Sequence, residues 1–392
     1  MTRKTNPKYF SSGFTLVELM IALVLGSLVI LAVTQIYLSS AQTNRLQNEQ
    51  AIMNSKSLFI LDYMERSIRE AGFASCSPAF LIGNWAVGGN LTNLLLAGNG
   101  IRGFEHSGTS QGNTFTLPGI RNFTSAPPAP VPANSLAGSD VLILQNRNTQ
   151  QVTIAGPANS GGSGGSGGGN SGNNQGGGNV VVCPGGVVQS GTNIQIVENI
   201  AVPQDSLVFF EKACQGGDFF VKTNQSGQGQ GNSGTTFTKG TNSNLNSSPA
   251  GFCNNYAAGE TVTLSVIEQT AFYVAAGSNN EPALFVTRFN AVEQGVVTEE
   301  ILGGVESMQL TYGVAGGGNS RSASNYVNAN QVTDWSQVVS IRISLLLRSN
   351  DGVLPTATSR SLLVNDTTLQ TPSDRRARLV VTATAAIRSK TL

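Results

Sequence analysis

The sequence predicts an α+β protein: one long N-terminal helix, its first half membrane-spanning, packed on an antiparallel β-sheet head with long inserted loops. Three observations predict it. Residues 19–38 are apolar and long enough to cross a hydrocarbon core of about 30 Å as a helix. Beyond them, Leu46, Met53, Ile60, Met64, Ile68 and Ala71 recur near helical spacing among Arg, Gln, Asn, Glu and Lys. The last third of the chain breaks into apolar segments with strand character, separated by turn residues.

The helix comes first. A run over 14–71 would be about 85 Å long at 1.5 Å per residue, with Gly72 as its stop signal. Its second half is amphipathic and should pack on the protein's own head. Its first half is apolar all round, so it needs lipid or other helices. The short basic leader, with Arg3, Lys4 and Lys8, sets that end on the cytoplasmic side. Small residues at 39–42 leave ordinary secretory cleavage open on spacing alone.

Glu18 is the one anomaly in this segment. It is the only charged side chain between Lys8 and Arg45. A carboxylate costs about 2.5–3.5 kcal/mol in a membrane span on insertion scales, and such residues are usually functional.

In the head, 74–134 reads as loop, and "SDVLILQNR" from Ser139 as a buried strand. Glycine-rich loops are expected over about 157–180 and 223–251, since neither composition offers much to bury. Between them, "DSLVFFEKACQGGDFFVKT" reads as two strands around a Gly-Gly turn. "TVTLSVIEQTAFYVAAG", "PALFVTRFN", "VESMQLTYGV", "VVSIRISLLLRS" and "RARLVVTATAAIRS" follow as strands. In the fourth, Val339, Ile341, Ile343, Leu345 and Leu347 alternate with a more polar set, as in a strand with one buried face.

Composition excludes several functions. Charged residues are only 11% of 392, and the net charge is +1. With three of the 23 basic side chains ahead of Gly13, the remainder is slightly acidic against 22 Asp and Glu, so nothing points to nucleic-acid binding. A GxGxxG match over 162–167 lies inside a glycine-serine tract, with no strand before it and no helix after it. His106 is the only histidine, which leaves no basis for a zinc site or a thiol–histidine pair. No metal, no cofactor and no enzymatic activity are expected. Glu299 with Glu300, and Asp374 beside Arg375 and Arg376, read as turn-like or solvated surface. Cys76, Cys183, Cys214 and Cys253 read as two disulfides. A Cys214–Cys253 bridge would restrict the second polar loop, leaving Cys76–Cys183 as the other pair.

The stretch "GFTLVEL" resembles the class III signal of type IV pilins and type II secretion pseudopilins. The glycine, aromatic, threonine, aliphatics and glutamate all fall in register. The resemblance implies that a prepilin peptidase cuts between Gly13 and Phe14, making 1–13 a leader, and that the new N-terminal Phe14 is methylated. Glu18 becomes the fifth mature residue and pairs with a neighbouring subunit's terminal amine as an assembly register. The later blocks "REAGFASC", "LFVTRF", "ILGGVESMQLTYG", "WSQVVSIRISLLLRS" and "RRARLVVTATAAIRS" resemble the PilW family of minor pilins. That resemblance implies a long helix over 14–72 carrying a pilin head over 73–392. It also implies a low-abundance subunit that takes part in priming pilus assembly near the tip, with a type II secretion pseudopilin as the alternative. The implied partners are other minor pilins, the major pilin, the prepilin peptidase, the pilus assembly platform, a tip adhesin and the inner membrane. Before assembly the chain would be single-pass in the inner membrane with its head in the periplasm; afterwards it would lie in the extracellular pilus.

Overall fold

Helix α1 spans Leu16–Glu70 and joins two distinct environments. The computed structural model describes residues 15–72, 100–117, 135–156, 193–204, 206–212, 217–225, 234–240, 246, 252, 254–278, 280–290, 295–317 and 321–388. From Leu16 to Leu38 every side chain of α1 is exposed, whereas Met53, Ser57, Ile60, Met64 and Ile68 are buried. Those five fall three or four residues apart, so they form the single stripe that the periodicity predicts. The helix ends because Ala71 turns extended and Gly72 takes a φ of 105°, a left-handed conformation that glycine adopts without strain.

Sixteen strands in three sheets form the head among the described residues. The largest sheet has nine strands in the order β10-β9-β8-β3-β4-β7, with β1 beside β3 and the pair β5–β6 beside β8. Its members are β1 (Ile101–Phe104), β3 (Val141–Gly156), β4 (Asn193–Ile196), β5 (Leu207–Glu211), β6 (Gly217–Val221), β7 (Thr236–Thr238), β8 (Thr261–Ala276), β9 (Pro282–Asn290) and β10 (Gly295–Gly303). A four-stranded sheet follows the order β12-β11-β13-β16, with β11 Val305–Ala315, β12 Ala323–Val327, β13 Val338–Gly352 and β16 Arg376–Ala386. The third sheet joins β14 (Ser361–Val364), β15 (Thr367–Gln370) and β2 (Thr114–Thr116).

The main core lies where α1 meets two sheets. Ile60, Met64 and Ile68 pack with Leu142, Phe272 and Leu284 of the large sheet and with Ile341, Ile343 and Leu345 of the four-stranded sheet. Fully burying such a side chain stabilises by about 1.5–3 kcal/mol, so this contact holds the lower half of α1 to the head. A second core forms farther along β3 and β8, where Val152, Ile154, Val262 and Leu264 meet Phe210, Phe220, Phe237, Phe252 and Tyr256. The pairing of β3 with β8 is unbroken from Leu142↔Phe272 to Thr153↔Thr261, so one long ribbon runs through both cores.

The structure corrects the sequence reading in several places. The region 74–134 is not all loop, since it contributes β1 and β2. β2 pairs parallel with β15, an exception to the antiparallel plan. The stretch 223–251 contains β7, and Phe237 is fully buried because the aromatic cluster of β5 and β6 needs a cover. Both faces of β13 are covered along much of its length: Ser344, Leu346 and Arg348 are buried as well as the odd-numbered apolar set. The small third sheet covers Leu346 through Val364 and Leu369, Ser344 meets Thr382 of β16, and Arg348 is held by Glu306 and Glu281. Glu299 and Glu300 are not in a turn; they lie on β10, where Glu299 pairs with Arg288 of β9.

The four cysteines, and the glycine-rich residues 157–180, lie outside the described residues. Described neighbours of Cys214 and Cys253 nevertheless stand together. Lys212 donates to the Asn255 carbonyl at 2.7 Å, and the Asn254 N–H donates to Asp218 at 2.9 Å. We propose that Cys214 pairs with Cys253 and Cys76 with Cys183. Non-reducing peptide mapping is expected to recover a Cys214–Cys253 peptide; a Cys76–Cys253 linkage would refute the pairing.

Candidate functional site

The site is the N-terminal end of α1. Thr15 is the N-cap residue, and its hydroxyl accepts from the Glu18 N–H at 3.2 Å. Glu18 reaches back, and its Oε2 accepts from the Thr15 N–H at 3.0 Å and from the Thr15 hydroxyl at 3.1 Å. This reciprocal arrangement is a capping box, and it places a carboxylate at the positive end of the helix dipole. Such an arrangement lowers the cost of the charge in an apolar setting without cancelling it. Only Oε2 takes part in these bonds, which leaves the acceptor capacity of Oε1 for a further donor.

The rest of the apolar run makes no comparable demand. Ser27 donates to the Val24 carbonyl and Thr34 to the Ile30 carbonyl, both at 2.8 Å, so these hydroxyls are satisfied within the helix. Among the described residues this is the one helix long and apolar enough to cross a membrane, and none of that run is buried inside the head. Its surface needs lipid or neighbouring helices. Gly13 and Phe14 lie outside the described residues, immediately before the cap.

Sequence reasoning found Glu18 but missed its partner Thr15. The signal was present: Thr-x-x-Glu ahead of an apolar run is the capping-box spacing.

Two polar clusters lie in the head, away from this site. Glu306 on β11 bridges Arg348 of β13 and Arg378 of β16, accepting from Arg348 at 3.1 Å and from Arg378 Nε at 2.7 Å. Asp374 holds the other side of Arg378 at 2.7 Å, and Glu281 pairs with Arg376 at 3.0 Å and with Arg348. Asp374 is therefore part of an ion network and not the solvated surface its sequence suggests.

The second cluster joins Glu105, Asp140 and Tyr312. Glu105 accepts from Thr109 at 3.2 Å and from Asn328 at 3.1 Å. Asp140 accepts from the N–H groups of His106 at 3.1 Å and Leu310 at 2.8 Å. Burial raises Glu105 to about 7, against the hydrogen bonds that lower it. Burial, and then the Glu105 charge, holds Asp140 well above the usual carboxylate range. Burial pushes His106 down. A carboxyl raised on folding stabilises the fold fully below its unfolded value, and that stability is lost as pH rises through the folded value, here about 7. His106 acts oppositely, favouring the fold at higher pH. Thermal melts at about pH 5 and 8 should therefore show Glu105→Gln losing less stability on alkalinisation than the unaltered protein. Equal losses would contradict this reading of the cluster.

Among the described residues, one exposed membrane-length helix with one capped carboxylate carries a mostly antiparallel head on its second half, a layout that fits the class of pilin-like proteins. Within that class, residues 271–389 match the family model described as Type IV Pilus-assembly protein W. Residues 10–34 match the Prokaryotic N-terminal methylation motif. No curated protein matches the chain. No solved structure does so either. The PilW match thus covers the C-terminal segment and the methylation motif covers the front of the chain, and together the matches support a minor pilin of the type IV pilus. The signal and the apolar helix support anchoring in a membrane followed by incorporation into a pilus.

Proposed function

We propose that this chain is a minor pilin that takes part in priming type IV pilus assembly and sits near the pilus tip, with its head in the periplasm before assembly. The observation that carries this reading is the division of α1. One half packs a single stripe on the head, and the other is wholly exposed with a single capped carboxylate as its only charged group. An exposed apolar helix of this length is stable in a bilayer and equally in the packed centre of a helical fibre, so the chain can pass from one to the other.

In this reading a prepilin peptidase cuts the Gly13–Phe14 bond, and the new amine at Phe14 is methylated. Glu18 keeps Oε2 in its own helix cap and offers Oε1 to the terminal amine of a neighbouring subunit. Pairing the two charges offsets the cost each would carry alone in an apolar setting. The partners are other minor pilins and the major pilin, the assembly platform and a tip adhesin.

Processing gives the first test. Gly13→Val puts a branched side chain at the cut site, so intact-mass analysis should find a precursor about 13 residues too long, and surface pili should fall in number. A mature chain beginning at Phe14 in that variant would remove the processing claim.

A further inference from the structure

We infer that Glu105, Asp140 and the Tyr312 hydroxyl form a buried binding site for one hard divalent cation, held through oxygen. The ladder brings the two carboxylates together. β1 and β3 pair antiparallel as far as Phe104↔Val141, so one further step sets Glu105 opposite Asp140. Like charges directly opposite in a sheet repel. Asp140 is 1% exposed, and among the described residues no basic side chain forms an ion pair with either carboxylate. Burying such groups is unfavourable unless a proton or an opposite charge joins them.

Tyr312 chooses between those two. It is fully buried, and its hydroxyl has no hydrogen-bond partner, an unfavourable state for a buried donor. That hydroxyl is aimed at the carboxylates. A side chain at Gly103 would collide with it, and Gly103 faces the same side of the strand as Glu105 two residues on. Asp140 and Glu105 are the charges that bear on the phenol. A single shared proton leaves one negative charge buried and the hydroxyl unpartnered. A divalent cation balances both charges and takes the hydroxyl as a ligand.

The donor set fixes the class of ion. Thr109 is fully buried, with its hydroxyl 3.2 Å from Glu105 Oε1, 2.9 Å from the His106 carbonyl and within reach of Asp140. Its one proton serves only one of these acceptors, and its lone pairs stay available. No third carboxylate, histidine or cysteine joins the group among the described residues, and the His106 imidazole packs edge-on against Phe115 instead. Carboxylates, hydroxyls and a carbonyl suit Ca²⁺, whereas Zn²⁺ and softer ions favour nitrogen or sulfur. Composition argues against zinc and leaves an oxygen-bound ion open. Glu105 and His106 are only partly buried, which gives the ion a way in. Once bound, it ties β1 and β3 of the large sheet to β11 of the four-stranded sheet. The pH dependence given above is that of the cation-free protein.

The test uses the full chain in detergent, stripped with EDTA and dialysed, with Ca²⁺ and Tb³⁺ as probes. Ca²⁺ at about 10 mM, above the usual dissociation constants of extracellular modules, should raise the melting temperature by about 3 °C or more. Tb³⁺ should bind one to one and luminesce on excitation of Trp335, whose ring lies 4.8 Å from that of Tyr312, and Ca²⁺ should displace it. Glu105→Gln should abolish both effects with the head still folded, since it takes away one of two facing charges and keeps the size of the side chain. Tyr312→Phe keeps the ring packing and should weaken Ca²⁺ binding by at least about tenfold, the usual cost of losing even an outer partner of a bound metal. The inference is overturned if Ca²⁺ neither stabilises the unaltered chain nor displaces Tb³⁺, for protons or water then fill the site. It is overturned equally if Glu105→Gln still responds, which places the ion elsewhere, or if Tyr312→Phe binds Ca²⁺ as tightly as the unaltered chain. Should Glu105→Gln fail to fold, Tyr312→Phe decides alone.

Discussion

Replacing Glu306 with alanine is expected to remove about 3 kcal/mol of stability from the head, near the lower end for breaking a buried ion pair. The register explains the size. Arg348 and Arg378 are direct cross-strand neighbours on β13 and β16, an arrangement of like charges that is unfavourable by itself. Both are almost wholly buried, with side-chain exposures of 9% and 2%. The ladder between β11 and β13 shifts between Val305 and Ser307, and Glu306 is the extra residue that lies across both guanidinium groups. Removing it leaves two buried cations facing each other. Asp374 and Glu281 stay in place, which is why the loss should not reach the upper end. Glu306→Gln should cost less than Glu306→Ala, since it keeps an acceptor. Urea unfolding of the full chain, followed by tryptophan fluorescence, would measure both; a loss under about 1 kcal/mol for the alanine variant would place the network among surface pairs of little worth.

How much of this was legible in the sequence depends on how local each signal is. The helix was legible because its stripe is a repeat within one element, and Met53, Ile60, Met64 and Ile68 are buried as their spacing predicts. β10, β12, β14 and β15 were missed, whereas the other five strands of the last third, β8, β9, β11, β13 and β16, were legible for the same reason. What the second face of β13 meets was not. Ser344 and Arg348 look solvent-facing in sequence, yet Ser344 bonds Thr382 of β16 and Arg348 is neutralised by residues 42 and 67 positions away. Long-range cover of this kind leaves no mark on local periodicity. Glu299 and Glu300 misled similarly: two adjacent carboxylates suit a turn, and they suit an edge strand equally well. At the candidate site the carboxylate itself stood out as the single charge in an apolar run. The N-cap role of Thr15 was also written in the sequence, in its three-residue spacing from Glu18.

The largest functional effect is expected at Glu18. Glu18→Ala takes a charge out of the membrane span, so insertion should improve, although the Thr15 N–H loses its acceptor. The peptidase should still cut, because its requirement is met at Gly13 in the proposed scheme. Incorporation into the fibre should fail, since a neighbour's terminal amine would then lie in an apolar environment without its partner. An unmatched charge of a buried pair costs about 3–5 kcal/mol, a factor of more than 100 in the assembled fraction before lipid headgroups and self-pairing reduce it. Glu18→Gln separates the two roles of the residue. Glutamine at this position completes a capping box as glutamate does, so the helix start is kept while the charge is lost. If the cap were the whole function, Gln would behave as the unaltered protein. If the charge pairs across subunits, Gln should be intermediate. The direct measurement is the amount of each variant in membrane and sheared-pilus fractions, beside a count of surface pili. The account predicts processed Glu18→Ala that stays in the membrane with few pili, and Glu18→Gln between it and the unaltered chain; processed Glu18→Ala that reaches the pilus fraction and supports normal pilus numbers would contradict it.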